Sequence, residues 1–356
     1  MKDKMSSKER YLTALNMGEP DKVPMVDYLL NKDIFRNILD IEPEKWSLKR
    51  NFATHLVLGL DSIYVEYCTA STYKAKYLKE EVYLNEWGAA VKKDPASWPA
   101  DFTVQFVIEN EDDLKRLKVP DPYRPERYEE IVEVIELNRD RIAIGGGVLG
   151  PVTQAWMLMK PEKIMWNLYD NPKLIKDMFK IMNDFNIAVG LNEIKAGVDH
   201  IWISEDIAST ANTFFSLKVF REQVYSFLDE MITEFRKARK DIPIIFHVCG
   251  NFKLFMEDIL RLSIDAIHPF QQVAGWDIKE VKEKYGNRIC IITGVDQTRT
   301  LPYCTPKEVE KECKRILEIG KKGGGFIFSS DHSLHEGIPF ENIWAMINAV
   351  GKYGYY

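Results

Sequence analysis

Residues 244 to 251 read Ile244-Ile245-Phe246-His247-Val248-Cys249-Gly250-Asn251, an apolar run that ends in His-x-Cys and breaks at Gly-Asn. The run is short enough to be a buried strand. Side chains two residues apart on a strand point to the same side, so His247 and Cys249 aim together beyond its carboxyl end. An imidazole and a thiolate aimed at one point form half of a zinc site. The segment alone leaves the alternative open that both side chains only fill the core.

Similar short apolar runs alternate with helical stretches along the rest of the chain. The predicted strands are 23–28, 61–66, 141–147, 199–205, 243–249, 264–270, 288–293 and 324–330. Strands that alternate with helices are typically parallel and joined by helical crossovers. Eight such units in 356 residues favour an α/β fold of the closed (β/α)8 TIM-barrel type over an open doubly wound sheet.

Residues 67–126 do not follow this alternation, because they combine many prolines with tyrosine and tryptophan. We expect an insertion between the second and third barrel strands, with a hairpin-like piece around residues 83–92. No linker or low-complexity segment divides the chain, so the sequence predicts a single domain over residues 1–356.

Composition excludes several classes of function. The net charge is −6 and no block of basic residues occurs, so we expect no nucleic-acid partner. No apolar run approaches the ~20 residues that a membrane span needs, and the charged residues 1–10 do not resemble a secretion signal. The five cysteines are few, scattered and odd in number, which argues against a disulfide framework and for the cytoplasm.

The chemistry of such barrels gathers at the carboxyl ends of the strands. The residues at the predicted strand ends are rich in carboxylates, imidazoles and a thiol. They are Glu66, Glu205 with Asp206, His247 with Cys249, the segment 268–271, Asp296, and Asp331 with His332. This set predicts a metal or catalytic centre around the His-x-Cys pair.

A catalytic zinc site uses three protein ligands and keeps one position open. We predict His332 as the third ligand. Asp331, directly before it, is predicted to be a catalytic group, a further candidate ligand or an orienter of the ligands. Glu205 is predicted to be a general acid or a fourth ligand, and its alternative role is to cap the helix that follows. The residues predicted to bind substrate are Glu66, Tyr67, Gln271 and Asp296.

Several short segments, in order along nearly the whole chain, resemble the uroporphyrinogen decarboxylase superfamily. They are Ser7–Leu15, 18–24, Asn85-Glu86-Trp87-Gly88, Gly150-Pro151-Val152-Thr153, 197–201, His247-Val248-Cys249-Gly250, Gly294-Val295-Asp296 and 329–333. The resemblance implies a (β/α)8 barrel, in agreement with the strand pattern.

The resemblance is closer to the corrinoid-linked methyltransferases of this superfamily than to the decarboxylase, whose arginine-bearing motif has no counterpart in residues 26–32. It implies zinc at His-x-Cys, a corrinoid carried by a separate small protein, and a small-molecule methyl donor or acceptor. Thiol-methylating members carry a cysteine after the last strand, where this chain has Asp331-His332. This difference favours an O-methyl substrate, such as an aromatic methyl ether, over a thiol. The alternatives are a uroporphyrinogen-type decarboxylase and a non-catalytic accessory barrel.

Overall fold

The computed structural model describes residues 3–43, 47–65, 73–93 and 101–356. Within these ranges the strands fall into three sheets. The strands are β1 (Leu29–Leu30), β2 (Ser62–Tyr64), β3 (Lys76–Lys79), β4 (Val82–Leu84), β5 (Ala90–Lys93), β6 (Asp101–Gln105), β7 (Ala143–Leu149), β8 (His200–Ser204), β9 (Ile244–His247), β10 (Ala266–His268), β11 (Cys290–Val295), β12 (Phe326–Ser330) and β13 (Leu334–His335).

Helices separate most of the strands of the largest sheet. They are α1 (Ser7–Leu15), α2 (Lys32–Leu39), α3 (Leu48–Leu58), α4 (Glu111–Arg116), α5 (Glu129–Asn138), α6 (Pro151–Trp156), α7 (Pro161–Asp170), α8 (Pro172–Ala196), α9 (Leu217–Val219), α10 (Tyr225–Ala238), α11 (Met256–Ile259), α12 (Ile278–Tyr285), α13 (Thr300–Tyr303), α14 (Pro306–Gly320) and α15 (Phe340–Tyr353). Among the helices in the described ranges, none is both long and apolar enough to cross a bilayer.

The largest sheet has seven strands in the order β12-β11-β10-β9-β8-β7-β2, and all neighbours are parallel. Seven of the eight predicted strands lie in this sheet. Its curled parallel strands with helical crossovers confirm the predicted α/β barrel class. The carboxyl ends of the strands therefore share one mouth, where His247, Cys249 and His332 lie close together.

The first predicted strand, 23–28, takes the eighth place without forming a regular ladder. Pro24 accepts a hydrogen bond from the Phe328 amide on one side, and Met25 accepts one from the Asp61 amide on the other. The segment thus bridges β12 and the residue preceding β2, with an isolated parallel bridge at Met25. Proline has no N–H to donate, which interrupts the regular pairing of this segment.

The barrel wall separates two apolar clusters, because successive strand residues face opposite sides. On β9, Ile244 and Phe246 belong to the large cluster shared with the helices, whereas Ile245 belongs to a smaller inner cluster. Tyr11 of α1 also lies in the inner cluster and packs against His200 at the start of β8, with ring centroids 5.4 Å apart. Helix α1 therefore closes the amino-terminal end of the barrel, and the opposite end holds the site.

The predicted insertion contains the second sheet, in which β3, β4, β5 and β6 pair antiparallel in sequence order. The hairpin expected around residues 83–92 is the pair β4 and β5. The third sheet is the short parallel pair of β1 and β13, which joins the segment after residue 28 to the loop after the last barrel strand.

Candidate metal centre

The structure brings the three predicted metal ligands together. One potential ligand atom each from His247, Cys249 and His332 lies within 4.8 Å of the others, and within the described part of the chain this is the one such group of three or more. Cys249 Sγ is 3.1 Å from His247 Nε2. Strand β9 ends at His247, so Cys249 lies two residues beyond the strand rather than on it, yet on the same side as predicted.

Gly250 makes the turn that presents Cys249. Its φ is +82°, and a Cβ at this position would lie 2.4 Å from the Ser209 carbonyl oxygen, so only glycine fits without strain. The Gly250 amide donates to Gln271 Oε1 at 2.7 Å. This hydrogen bond fixes the turn after the His-x-Cys pair. Gln271 is only 7% exposed, and its predicted role in substrate binding stays a prediction.

His268 is a fourth member of the site. The sequence pattern places it at the end of a predicted strand, but no role was predicted for it. Its Nδ1 is 2.7 Å from His247 Nδ1. The two residues are register partners on the parallel strands β10 and β9. The pairing register of β9 against β10 would have revealed this role, because it places the rings of His247 and His268 side by side on the inner face of the barrel.

Aromatic rings form the wall beneath the histidines. Trp202 stacks on Tyr64 with centroids 4.4 Å apart, and Trp202 lies 5.0 Å from the His268 ring. The Tyr28 ring lies 5.8 Å from that of His247 and 6.3 Å from that of His332. These rings give the site an apolar floor, so charges at the mouth are weakly screened by water from below.

Burial sets the protonation of the ligand groups. Burial lowers the pKa of His247 to about 3 and that of His332 to about 4, and it also lowers the pKa of His268 well below its usual value. Burial, together with the Asp206 carboxylate, raises the pKa of the Cys249 thiol. The imidazoles are therefore neutral and offer lone pairs, and a metal ion would displace the proton of the thiol.

Asp206 is a further acidic neighbour, placed at a strand end by the sequence pattern but given no role of its own there. Its Oδ1 lies 3.9 Å from His247 Nε2 and accepts a hydrogen bond from the Cys249 amide at 3.4 Å. Its side chain is 48% exposed, so it stands at the rim of the site.

Glu205 lies at the start of helix α6. Its two carboxyl oxygens accept hydrogen bonds from the Val152 amide at 3.1 Å and the Thr153 amide at 2.9 Å. The side chain is fully buried, and burial raises its pKa to about 8. The residue therefore anchors α6 to the end of β8, and its predicted role as a general acid stays a prediction.

Asp331 connects the loops on either side of β11. Its Oδ2 accepts from the Gln272 amide at 2.9 Å and its Oδ1 from the Gln297 amide at 2.8 Å. Burial raises its pKa to about 7. These bonds hold the chain directly before His332, whose Nδ1 is 3.0 Å from Ser333 Oγ. The predicted catalytic role of Asp331 stays a prediction.

Two groups predicted to bind substrate are differently placed. Asp296 is 2% exposed, and its carboxylate accepts hydrogen bonds from Thr298 and from both the amide and the side chain of Arg299. It therefore organises its own loop. Glu66 and Tyr67 lie outside the described residues.

The chain matches known proteins along most of its length. Residues 88–353 match the family described as uroporphyrinogen decarboxylase, a range that includes every member of the His-Cys-His cluster. The methylcobamide:CoM methyltransferase MtaA of Methanosarcina barkeri is 22% identical, over 97% of this chain and 98% of that protein.

Other relatives match a smaller share or the fold alone. The uroporphyrinogen decarboxylase of Methylococcus capsulatus is 26% identical, over 68% of this chain and 69% of that protein. A solved structure described as a methyltransferase from Methanosarcina mazei is 20% identical and superposes with a TM-score of 0.76, covering 98% of this chain and 99% of that one. That superposition establishes the same fold.

Proposed function

The chain belongs to the uroporphyrinogen decarboxylase family, and we propose that it is a methyltransferase that moves a methyl group between a small substrate and a corrinoid carried by a partner protein. The observation that carries the proposal is the cluster of His247, Cys249 and His332 at the barrel mouth. The similarity to MtaA, which extends over nearly the full length of both chains, supports it.

The donor set suits zinc. Two imidazole nitrogens and one thiolate are ligand types of zinc sites, and three protein ligands leave one position for a substrate. Cys249 and His332 are partly exposed, whereas His247 and His268 are buried. The ligand cluster is thus open on the side of Cys249 and His332, from which a substrate would approach.

Transfer of a methyl group away from an ether leaves the electron pair of the C–O bond on the substrate oxygen. When bound, zinc supplies Lewis-acid stabilisation of negative charge on that oxygen. In this proposal Glu205 gives its proton to that oxygen, which completes the leaving alcohol or phenol. The rings of Tyr28, Tyr64 and Trp202 keep water away, and the loops around Gln271 and Asp331 are held by hydrogen bonds.

We further propose an O-methyl compound, such as an aromatic methyl ether, as the methyl donor. His332 occupies the loop after the last barrel strand, close to His247 and Cys249. Two neutral imidazoles and one thiolate leave a positive net charge on a zinc centre, whereas a second thiolate would cancel it. The positive centre is the stronger Lewis acid and the better partner for an alkoxide or phenolate.

The partner in this proposal is a small corrinoid protein that docks at the barrel mouth, and the compartment is the cytoplasm. All four described cysteines are free thiols, in keeping with a reducing environment. We propose that neither nucleic acid nor a membrane is a partner. We also propose that residues 1–356 form one domain.

The test combines metal analysis with methyl transfer. The purified full chain should carry about one zinc and should transfer the methyl group of a methoxylated aromatic compound to cob(I)alamin, read as formation of methylcobalamin. Cys249→Ser serves as the metal-deficient control. Uroporphyrinogen decarboxylation by the same preparation, or full methyl transfer by chelator-treated protein, would contradict the proposal.

A further inference from the structure

His247 and His268 share a hydrogen bond between like atoms. Their Nδ1 atoms are 2.7 Å apart, and both side chains lie inside the barrel with 5% and 1% exposure. A neutral imidazole carries one proton, on either Nδ1 or Nε2. One of the two Nδ1 atoms must therefore donate and the other must accept, so the proton positions of the two rings are coupled.

Metal binding would decide which ring donates. His247 Nε2 faces Cys249 Sγ at 3.1 Å, so Nε2 is the nitrogen that it offers to a metal. A metal-binding nitrogen needs its lone pair, which places the His247 proton on Nδ1. His247 then donates to His268 Nδ1, and the proton of His268 must sit on Nε2.

The second nitrogen of His268 lies in apolar surroundings. Its ring is 5.0 Å from that of Trp202 and 5.8 Å from that of Tyr28, and Nε2 has no hydrogen-bond partner among the described residues. An N–H among aromatic rings without an acceptor is unfavourable, so this position favours a ligand that brings an acceptor atom.

We propose that His268 is a positioning residue that holds His247 in its metal-binding tautomer and, through Nε2–H, donates a hydrogen bond to an acceptor oxygen of the bound substrate. The inference rests on the proposed function for its metal and its substrate. It narrows the substrate class to molecules with an acceptor oxygen near the transferred methyl group, such as a methyl ether.

The direct test is the tautomer of each ring. Two-bond 1H–15N correlation spectra of the full chain labelled in histidine would be recorded with and without zinc, and His268→Asn would assign the pair. In zinc-loaded protein we expect His247 protonated at Nδ1 and His268 at Nε2. A proton on Nδ1 of His268 in the loaded protein would overturn the proposal.

Two variants separate the two roles of His268. In His268→Asn, Oδ1 can replace Nδ1 as the acceptor, so zinc affinity should stay within about threefold of wild type while KM for the methyl ether rises about tenfold. In His268→Leu both roles are lost, so zinc affinity should fall about 10- to 100-fold and the absorption bands of the Co(II)-substituted protein should shift. His200→Leu, another substitution inside the barrel, should leave zinc affinity unchanged.

The outcomes distinguish this inference from the proposed function. Wild-type protein that binds no zinc at His247 and Cys249 would end both. Wild-type protein that binds zinc, together with a folded His268→Leu variant of unchanged zinc affinity and unchanged Co(II) spectrum, would overturn only the role of His268.

Discussion

Two histidine sites lie inside the same barrel, one near each end. At the closed end, His200 Nε2 is 2.9 Å from Ser62 Oγ, and Tyr11 of α1 packs against its ring. At the mouth, His247 lies between His268 and Cys249. Both His200 and His247 are buried, and burial lowers the pKa of each to about 3.

Burial and a lowered pKa therefore do not mark the functional histidine. The difference lies in the neighbours, because His200 meets a hydroxyl group and aromatic rings under a closing helix, whereas His247 meets a thiol and a second imidazole at an opening. The chemistry of the donor set at the carboxyl ends of the strands identifies the site. The closed-end site is the natural control for every experiment on the mouth.

The largest expected effect is on zinc affinity, which should depend on residues at the mouth of the barrel and not on residues at its closed end. Cys249→Ser removes a direct ligand, so affinity should fall by more than about 100-fold, beyond the loss typical of outer-shell changes. Ser62→Ala at the closed end should leave affinity unchanged. Competition with a chromophoric chelator measures the zinc affinity of both variants. Equal affinities for Cys249→Ser and wild type would show that the mouth does not bind zinc through Cys249.

The second prediction concerns whether Glu205 donates a proton during methyl transfer. If its buried carboxyl supplies the proton, Glu205→Gln should slow methyl transfer about 100-fold while zinc binding persists. Thermal unfolding of the same variant reports the loss of its anchor on the Val152 and Thr153 amides. A stable variant with an unchanged rate would leave Glu205 as a helix anchor only.

His332 tests the third ligand. Replacement by alanine removes a direct ligand, so zinc binding should weaken by about 100-fold, the upper limit of outer-shell losses. The free energy of unfolding should change little, because the residue is only partly buried. Ser333→Ala, which removes the hydroxyl beside its ring, is the milder matched variant. Wild-type zinc affinity in His332→Ala would assign the third ligand elsewhere.

A smaller effect is expected on stability at the closed end. Ser62→Ala leaves His200 Nε2 buried without its partner, so the free energy of unfolding should fall by about 1–3 kcal/mol. Urea unfolding of metal-free protein gives the value. No loss of stability would mean that the 2.9 Å contact contributes nothing to the fold.

The smallest effect is a change in pH dependence. His200 has a pKa of about 3 in the folded chain and an ordinary value of 6.5 when unfolded, so between these pH values the unfolded chain binds one more proton. The contribution of neutral His200 to stability is therefore complete well above pH 6.5, and it declines as the pH falls towards about 3. His200→Gln should reduce the slope of unfolding free energy against pH by about 1.4 kcal/mol per pH unit. An unchanged slope between pH 7 and pH 5 in metal-free protein would contradict this.

The sequence predicts features that depend on neighbouring residues. Seven strands and the shared direction of His247 and Cys249 follow from local apolar runs and a two-residue spacing. The segment 23–28 did not form the expected strand because Pro24 lacks an N–H and the Asp27 side chain, instead of a backbone group, accepts from Ser330.

Features that depend on distant segments were not predictable in this way. The bond between His247 and His268 requires the register of β9 against β10. The amides that engage Glu205 and Asp331 come from residues 34 to 59 positions away, as the separations of Gln297, Val152, Thr153 and Gln272 show. No local pattern encodes such contacts.

The proposal on which the others depend is that the imidazoles of His247 and His332 and the thiolate of Cys249 bind zinc at the barrel mouth. X-ray absorption at the zinc edge of the purified full chain tests it most directly. We predict one sulfur ligand at about 2.3 Å with nitrogen or oxygen ligands at about 2.0–2.1 Å, and loss of the sulfur in Cys249→Ser. Zinc bound without any sulfur ligand, or a chain that retains no zinc, would contradict the account.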